Sequence, residues 1–66
     1  MNYYLAWKTD DKYNPLDNEY RTFVSKNKKM VFELLAYEEG VEYTKSAFLN
    51  CKDGKKWCVQ FCKKVK

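Results

Sequence analysis

Asp53-Gly54 stands between two short apolar runs, Ala47-Phe48-Leu49-Asn50-Cys51 and Trp57-Cys58-Val59-Gln60-Phe61-Cys62. An Asp-Gly pair tolerates the positive φ that a two-residue hairpin turn demands, and flanking strand-formers make it a strong hairpin signal. The C-terminal third is therefore committed to two antiparallel strands. With Asp53-Gly54 at the tip, Cys51 faces Lys56, Leu49 faces Cys58 and Ala47 faces Gln60. Phe48, Trp57, Val59 and Phe61 then share one face, which is expected to pack on the rest of the chain. Ala47, Leu49, Cys51, Cys58 and Cys62 share the other.

The remaining residues must supply the cover for that hairpin. Tyr3, Leu5 and Trp7 alternate with Asn2, Tyr4, Ala6 and Lys8, which predicts a strand over 2–8 burying Tyr3, Leu5 and Trp7. Asn14-Pro15 suits a helix start, with Pro at the first helical position and Asp17 and Glu19 in the first turn. Leu16, Tyr20, Phe23 and Val24 follow at helical spacing, so a helix is expected over 15–25. The competing reading is a strand over 20–25, because Thr22, Phe23 and Val24 favour sheets. Met30 to Tyr37 is nearly all apolar and rich in helix formers, and Gly40-Val41 fits a Schellman stop. That predicts a second helix over 28–39. Lysines at its start and Glu38-Glu39 at its end oppose the helix dipole, at about 0.3–1 kcal/mol each when exposed. The expected fold is α+β: an N-terminal strand, two short helices and a C-terminal β-hairpin in a small antiparallel sheet. The alternative is an all-β five-stranded meander or SH3-like barrel.

A chain of 66 residues holds one small domain, here 1–66, and six Tyr, four Phe and two Trp help so short a chain build a core. There is no His, and there are only two Gly and one Pro. Glycine-loop nucleotide sites and His-based catalytic or metal sites are thereby excluded. No cofactor, small-molecule substrate or enzymatic activity is expected. Cys51, Cys58 and Cys62 are an odd set, read as free thiols rather than a disulfide framework or a four-ligand zinc site. No leader-like segment and no run near the roughly 18 apolar residues of a membrane span is seen. The expectation is a cytoplasmic protein with no membrane partner.

Charge is uneven. Residues 41–66 carry seven lysines against Glu42 and Asp53, within a chain whose net charge is +4. Lys52, Lys55 and Lys56 crowd the hairpin tip, and Lys63 and Lys64 follow on the last strand. Such a ribbon can track a phosphate backbone, and it equally suppresses edge-to-edge aggregation. Tyr4, Tyr13 and Tyr43 are candidates for exposed rings, which beside lysines make stacking platforms for nucleic acid or anchors for a protein. Ala36, Gly40-Val41, Tyr43 and Leu49 are spaced so that Leu35 to Asn50 resembles the turn of helix-turn-helix DNA-binding proteins, with departures at Glu39 and Ser46. The resemblance implies that Glu42, Tyr43, Thr44 and Lys45 open a reading helix. The alternative is a plain helix stop followed by a strand from Val41. The leading expectation is a small basic nucleic-acid-binding accessory or regulatory protein using Lys52, Lys55, Lys56, Lys63 and Lys64, with Tyr43, Thr44 and Lys45 reading. The alternative is a protein-binding inhibitor or adaptor of the kind phages and mobile elements encode, acting on an acidic protein partner. A third class is a structural subunit that oligomerises through the cysteine face.

Overall fold

A computed structural model describes residues 1–65. Its elements run β1 (Asn2–Thr9), β2 (Pro15–Ser25), α1 (Lys28–Glu39), β3 (Phe48–Asn50) and β4 (Lys56–Lys64). The strands form one antiparallel sheet in the order β2-β1-β4-β3. The α+β class stands, but with four strands and one helix rather than two helices.

The element that differs is β2, a strand where a helix over 15–25 is expected. Pro15 opens an edge strand, where its missing N–H interrupts no second ladder. Thr22, Phe23 and Val24 pair with Leu5, Tyr4 and Tyr3 of the central strand. Their sheet preference plus a partner ladder outweighs the helical spacing of Leu16, Tyr20, Phe23 and Val24. Asp17, which reads as a first-turn helix residue, lies with Asn18 in an irregularity instead. Trp7 faces Tyr20 while Thr9 faces Pro15, so the intervening residues bulge out, with Asn18 left-handed at φ 59°.

The helix over 28–39 forms as expected. The Asn27 side chain accepts a hydrogen bond from the Met30 N–H at 2.9 Å, capping the N-terminus. Gly40 is left-handed at φ 70°, and the Gly40 and Val41 N–H groups donate to the Tyr37 and Ala36 carbonyls. That is the Schellman pattern, and Val41 folds back against the core. Its inner face buries Val31, Phe32, Leu35 and Ala36 against one side of the sheet, where Tyr4, Ala6, Leu49, Cys51, Trp57 and Val59 complete one cluster.

Two registers differ from expectation. In β1 the buried residues are Tyr4 and Ala6, not Tyr3, Leu5 and Trp7. Both parities of β1 are apolar, so alternation does not choose between them. The helix chooses: Ala6, at 0% exposure, is small enough to lie beneath it. In the hairpin, Phe48 faces Cys58, Leu49 faces Trp57 and Asn50 faces Lys56. Only Gly54 of the Asp-Gly pair has positive φ, at 87°. The connection is a longer one, closed by Gly54 N–H to the Cys51 carbonyl and Cys51 N–H to the Lys55 carbonyl. The one-residue slip moves Leu49 and Cys51 into the core and Phe48 to the opposite face. Phe61 is exposed rather than central, though its ring meets Tyr4 edge-on at 5.9 Å.

Between helix and β3 the chain forms neither a reading helix nor a strand from Val41. Tyr43 holds this loop by stacking on Phe32 at 4.7 Å and donating its hydroxyl to the Ser46 carbonyl at 2.9 Å. Lys63 and Lys64 lie in β4, and the Val65 N–H donates to the Met1 carbonyl. Lys66 lies outside the described residues.

Candidate functional site

One helix covers one side of a four-stranded sheet, and among the described residues no second helix covers the other, where Thr9 at the β1 end is nonetheless fully buried. Strand partners share a face, and the register fixes what stands there. One row is Tyr20, Trp7, Cys58 and Phe48 across all four strands. Beside it lie Thr22, Leu5 and Gln60, then Val24, Tyr3 and Lys63. On the other flank Lys56 faces Thr9 and Asn50. No carboxylate occupies any of these positions. The acids lie instead on the helix, in the β2 bulge and in the loops.

Lysines here are placed over rings. Lys63 Nζ lies 5.3 Å from the Tyr3 ring centroid. Lys56 Nζ lies 5.3 Å from the Tyr13 ring and 5.7 Å from Phe48, and donates to Asn50 Oδ1 at 3.1 Å. Tyr13 reaches this face from the β1–β2 loop and meets Phe48 edge-on at 5.1 Å. The loop is pinned by Asp10, whose Oδ1 accepts the Lys12 and Asn14 N–H groups. Those bonds, the Asn14 backbone foremost, hold the Asp10 carboxyl below its ordinary range. They also hold Tyr13 at φ 67°, a conformation costly for a ring-bearing residue. Tyr20 is 63% exposed and Val24 50%, while Trp7 and Leu5 are half-buried among their neighbours.

The residues that charge alone nominates do not gather in one place. Lys56 and Lys63 reach the open face. Lys55 pairs with Asp53 at 3.7 Å in the turn. Lys52 lies over the helix end, where a Cβ on Gly40 would stand 3.4 Å from its Nζ, complementing the C-terminal dipole. Lys64 faces Asn2, on the helix side. Tyr43 is committed to the core, while Thr44 and Lys45 are exposed in the loop, Lys45 at φ 56°. Among the three tyrosines expected outside, Tyr13 is exposed and Tyr4 is buried in the core. Tyr3 and Trp7, expected in the core, and Tyr20, expected on a helix, are the rings that the sequence did not direct to this face. The available signal was that β1 carries rings at both parities.

The helix side holds a polar latch. Glu39 Oε2 accepts from Trp57 Nε1 at 3.0 Å and from Lys8 Nζ at 3.2 Å. The Trp57 indole N–H, with Lys8 beside it, keeps the Glu39 carboxyl below its ordinary range despite partial burial. Burial alone would lower the Lys8 pKa, but the bond and charge of Glu39 leave it raised. Neighbouring Glu38 pairs with Arg21 at 2.7 Å. Both acids that oppose the dipole thus have specific partners.

The cysteines do not share a face. Cys51 is in the core, Cys58 is half-buried on the open face and Cys62 is exposed, all as free thiols. Desolvation pushes the Cys51 thiol up to about 11 and raises Cys58 as well. Among the described residues no three His, Cys, Asp or Glu are placed to hold a metal, and no helix is long and apolar enough to cross a membrane. Comparison with protein-family models, curated proteins and solved structures found no match for this chain.

Proposed function

We propose that this chain is a small non-enzymatic protein that binds single-stranded nucleic acid on its uncovered sheet face. The observation that carries the reading is the row Tyr20, Trp7 and Phe48, with Tyr3 and Tyr13 beside it, on a face whose strand positions hold Lys56 and Lys63 and no carboxylate. Bases stack on aromatic rings regardless of sequence, each for about 1–3 kcal/mol. Lys56 and Lys63 put positive charge beside these rings, within reach of the phosphates that flank a stacked base. A duplex keeps its base faces hidden, so an open, shallow sheet selects splayed strands. Twelve of the thirteen cations are lysines, which act as point charges and attract phosphate without reading base edges.

Fluorescence anisotropy with labelled single-stranded and duplex DNA tests the reading. Single strands are expected to bind more tightly. Tyr20→Ala is expected to weaken binding roughly 5- to 150-fold, the equivalent of one lost stack. Lys52→Glu, over the helix end, should leave affinity within about twofold at moderate salt. Equal binding of Tyr20→Ala and the unaltered chain would refute the platform.

A second reading has its own observation. Met30, Leu34 and Tyr37 are exposed on the outer face of α1 at helical spacing. Such a stripe suits a protein-binding inhibitor or adaptor. Binding through it would show little salt dependence, whereas phosphate contacts release counterions and weaken steeply with salt.

A further inference from the structure

We infer that β2 is a self-association edge, pairing antiparallel with β2 of a second copy about Thr22. The inference does not rest on the nucleic-acid reading. Of the two sheet edges, β3 spans only Phe48–Asn50, while β2 spans Pro15–Ser25. The bulge ends before Tyr20, so Tyr20 to Ser25 forms a regular six-residue stretch against β1 whose outer side has no strand partner. Unpaired strand edges are templates for a further strand.

The side chains specify which strand. Antiparallel pairing about Thr22 sets Thr22 against its own copy and Tyr20 against Val24, on the uncovered face. It sets Arg21 against Phe23 on the helix side. Thr–Thr and aromatic–β-branched pairs are favourable cross-strand neighbours, worth about 0.2–1 kcal/mol each. Tyr20 and Val24, at 63% and 50% exposure, are the apolar side chains this pairing would set side by side, their outer faces still on the uncovered side. Arg21 already lies 4.9 Å from the Phe23 ring of its own strand, so the pairing repeats a contact the chain makes.

Charge chooses a second copy. Edge charges commonly ward off pairing, but here the signs separate along the strand. Asp17 and Glu19 stand before the regular stretch, and Lys26, Lys28 and Lys29 follow it. None of the five has an ion-pair partner among the described residues. Reversing one copy against the other brings each acidic end beside a basic end, twice over. The product is an eight-stranded sheet whose uncovered face continues from Tyr20 of one copy across Val24 and Tyr3 of the other.

Sedimentation equilibrium in reducing buffer tests this, since the exposed Cys62 cannot then link copies. The unaltered chain is expected to show twice its 8.0 kDa mass, with a dissociation constant tighter than about 1 mM. Thr22→Lys and Thr22→Glu each place like charges across the dyad, so each alone should sediment as a monomer with an unchanged circular dichroism spectrum. An equimolar mixture of the two should regain the dimer mass. A chain that stays at monomer mass at every concentration would overturn the inference. So would single variants that remain dimeric, because the contact would then lie elsewhere.

Discussion

Replacing Glu39 with Ala removes the acceptor shared by Lys8 and Trp57 at the helix end. Two effects of opposite sign compete. A carboxylate in the last turn opposes the helix dipole, and removing it returns about 0.3–1 kcal/mol. Against this, hydrogen bonds to charged groups contribute about 1.5–3 kcal/mol, and an indole N–H left unpaired in a Trp57 that is only 5% exposed carries its own desolvation cost. The latch wins, and Glu39→Ala should destabilise by roughly 2 kcal/mol net. In a chain this short that corresponds to a melting temperature lower by about 8–16 °C. Urea unfolding followed by tryptophan fluorescence reads it directly. The pH dependence adds a signature. The Glu39 carboxyl lies below its ordinary 4.5 in the folded chain, so it contributes stability above that value, lost as pH falls through the folded pKa. Lys8 is raised above 10.5, so its contribution is present below that value and lost as pH rises through the folded pKa. The unaltered chain should therefore lose this increment at both extremes, and Glu39→Gln should flatten both. A Glu39→Ala variant within about 0.5 kcal/mol of the unaltered chain would refute the argument, because the dipole would then balance the latch.

Other consequences follow from the same geometry. Ala6→Leu forces extra volume beneath the helix and should cost about 1–3 kcal/mol by urea unfolding, whereas Leu5→Thr on the uncovered face should cost less; the reverse ranking would mean the faces of β1 are exchanged. Cys62 should react first with a thiol reagent at neutral pH, Cys58 more slowly and Cys51 only on unfolding, since the last is buried with its thiol up at about 11. Mass spectrometry of the labelled residue over time checks the order.

Much of the fold was legible where local signals agreed. The helix over 28–39 carried its own propensity and a Gly stop, and it forms with those bounds. The hairpin's existence was legible from Asp53-Gly54, but its register was not. Asp-Gly serves both a two-residue turn and a longer one with Gly alone left-handed, and the choice flips one strand's faces. β2 was misread because its helical spacing and its Asn-Pro start are real local preferences. They lose to pairing with a central strand, which no local window contains. The candidate site was the least legible part. Counting lysines directs attention to the turn, while the sheet collects rings from β1, β2, β3 and the β1–β2 loop and sets Lys56 and Lys63 beside them. Which parity of β1 faces outward is decided by where the helix lands, and that is a tertiary fact.

The most direct test of the binding surface is an amide chemical-shift titration of the isotope-labelled chain with a short single-stranded oligonucleotide. The largest shifts should fall on Tyr3, Leu5, Trp7, Tyr20, Cys58 and Lys63, with Val31 to Ala36 unmoved. Shifts confined to the Lys52–Lys55 turn and the Tyr43–Lys45 loop, or no shifts at all, would contradict binding on this face.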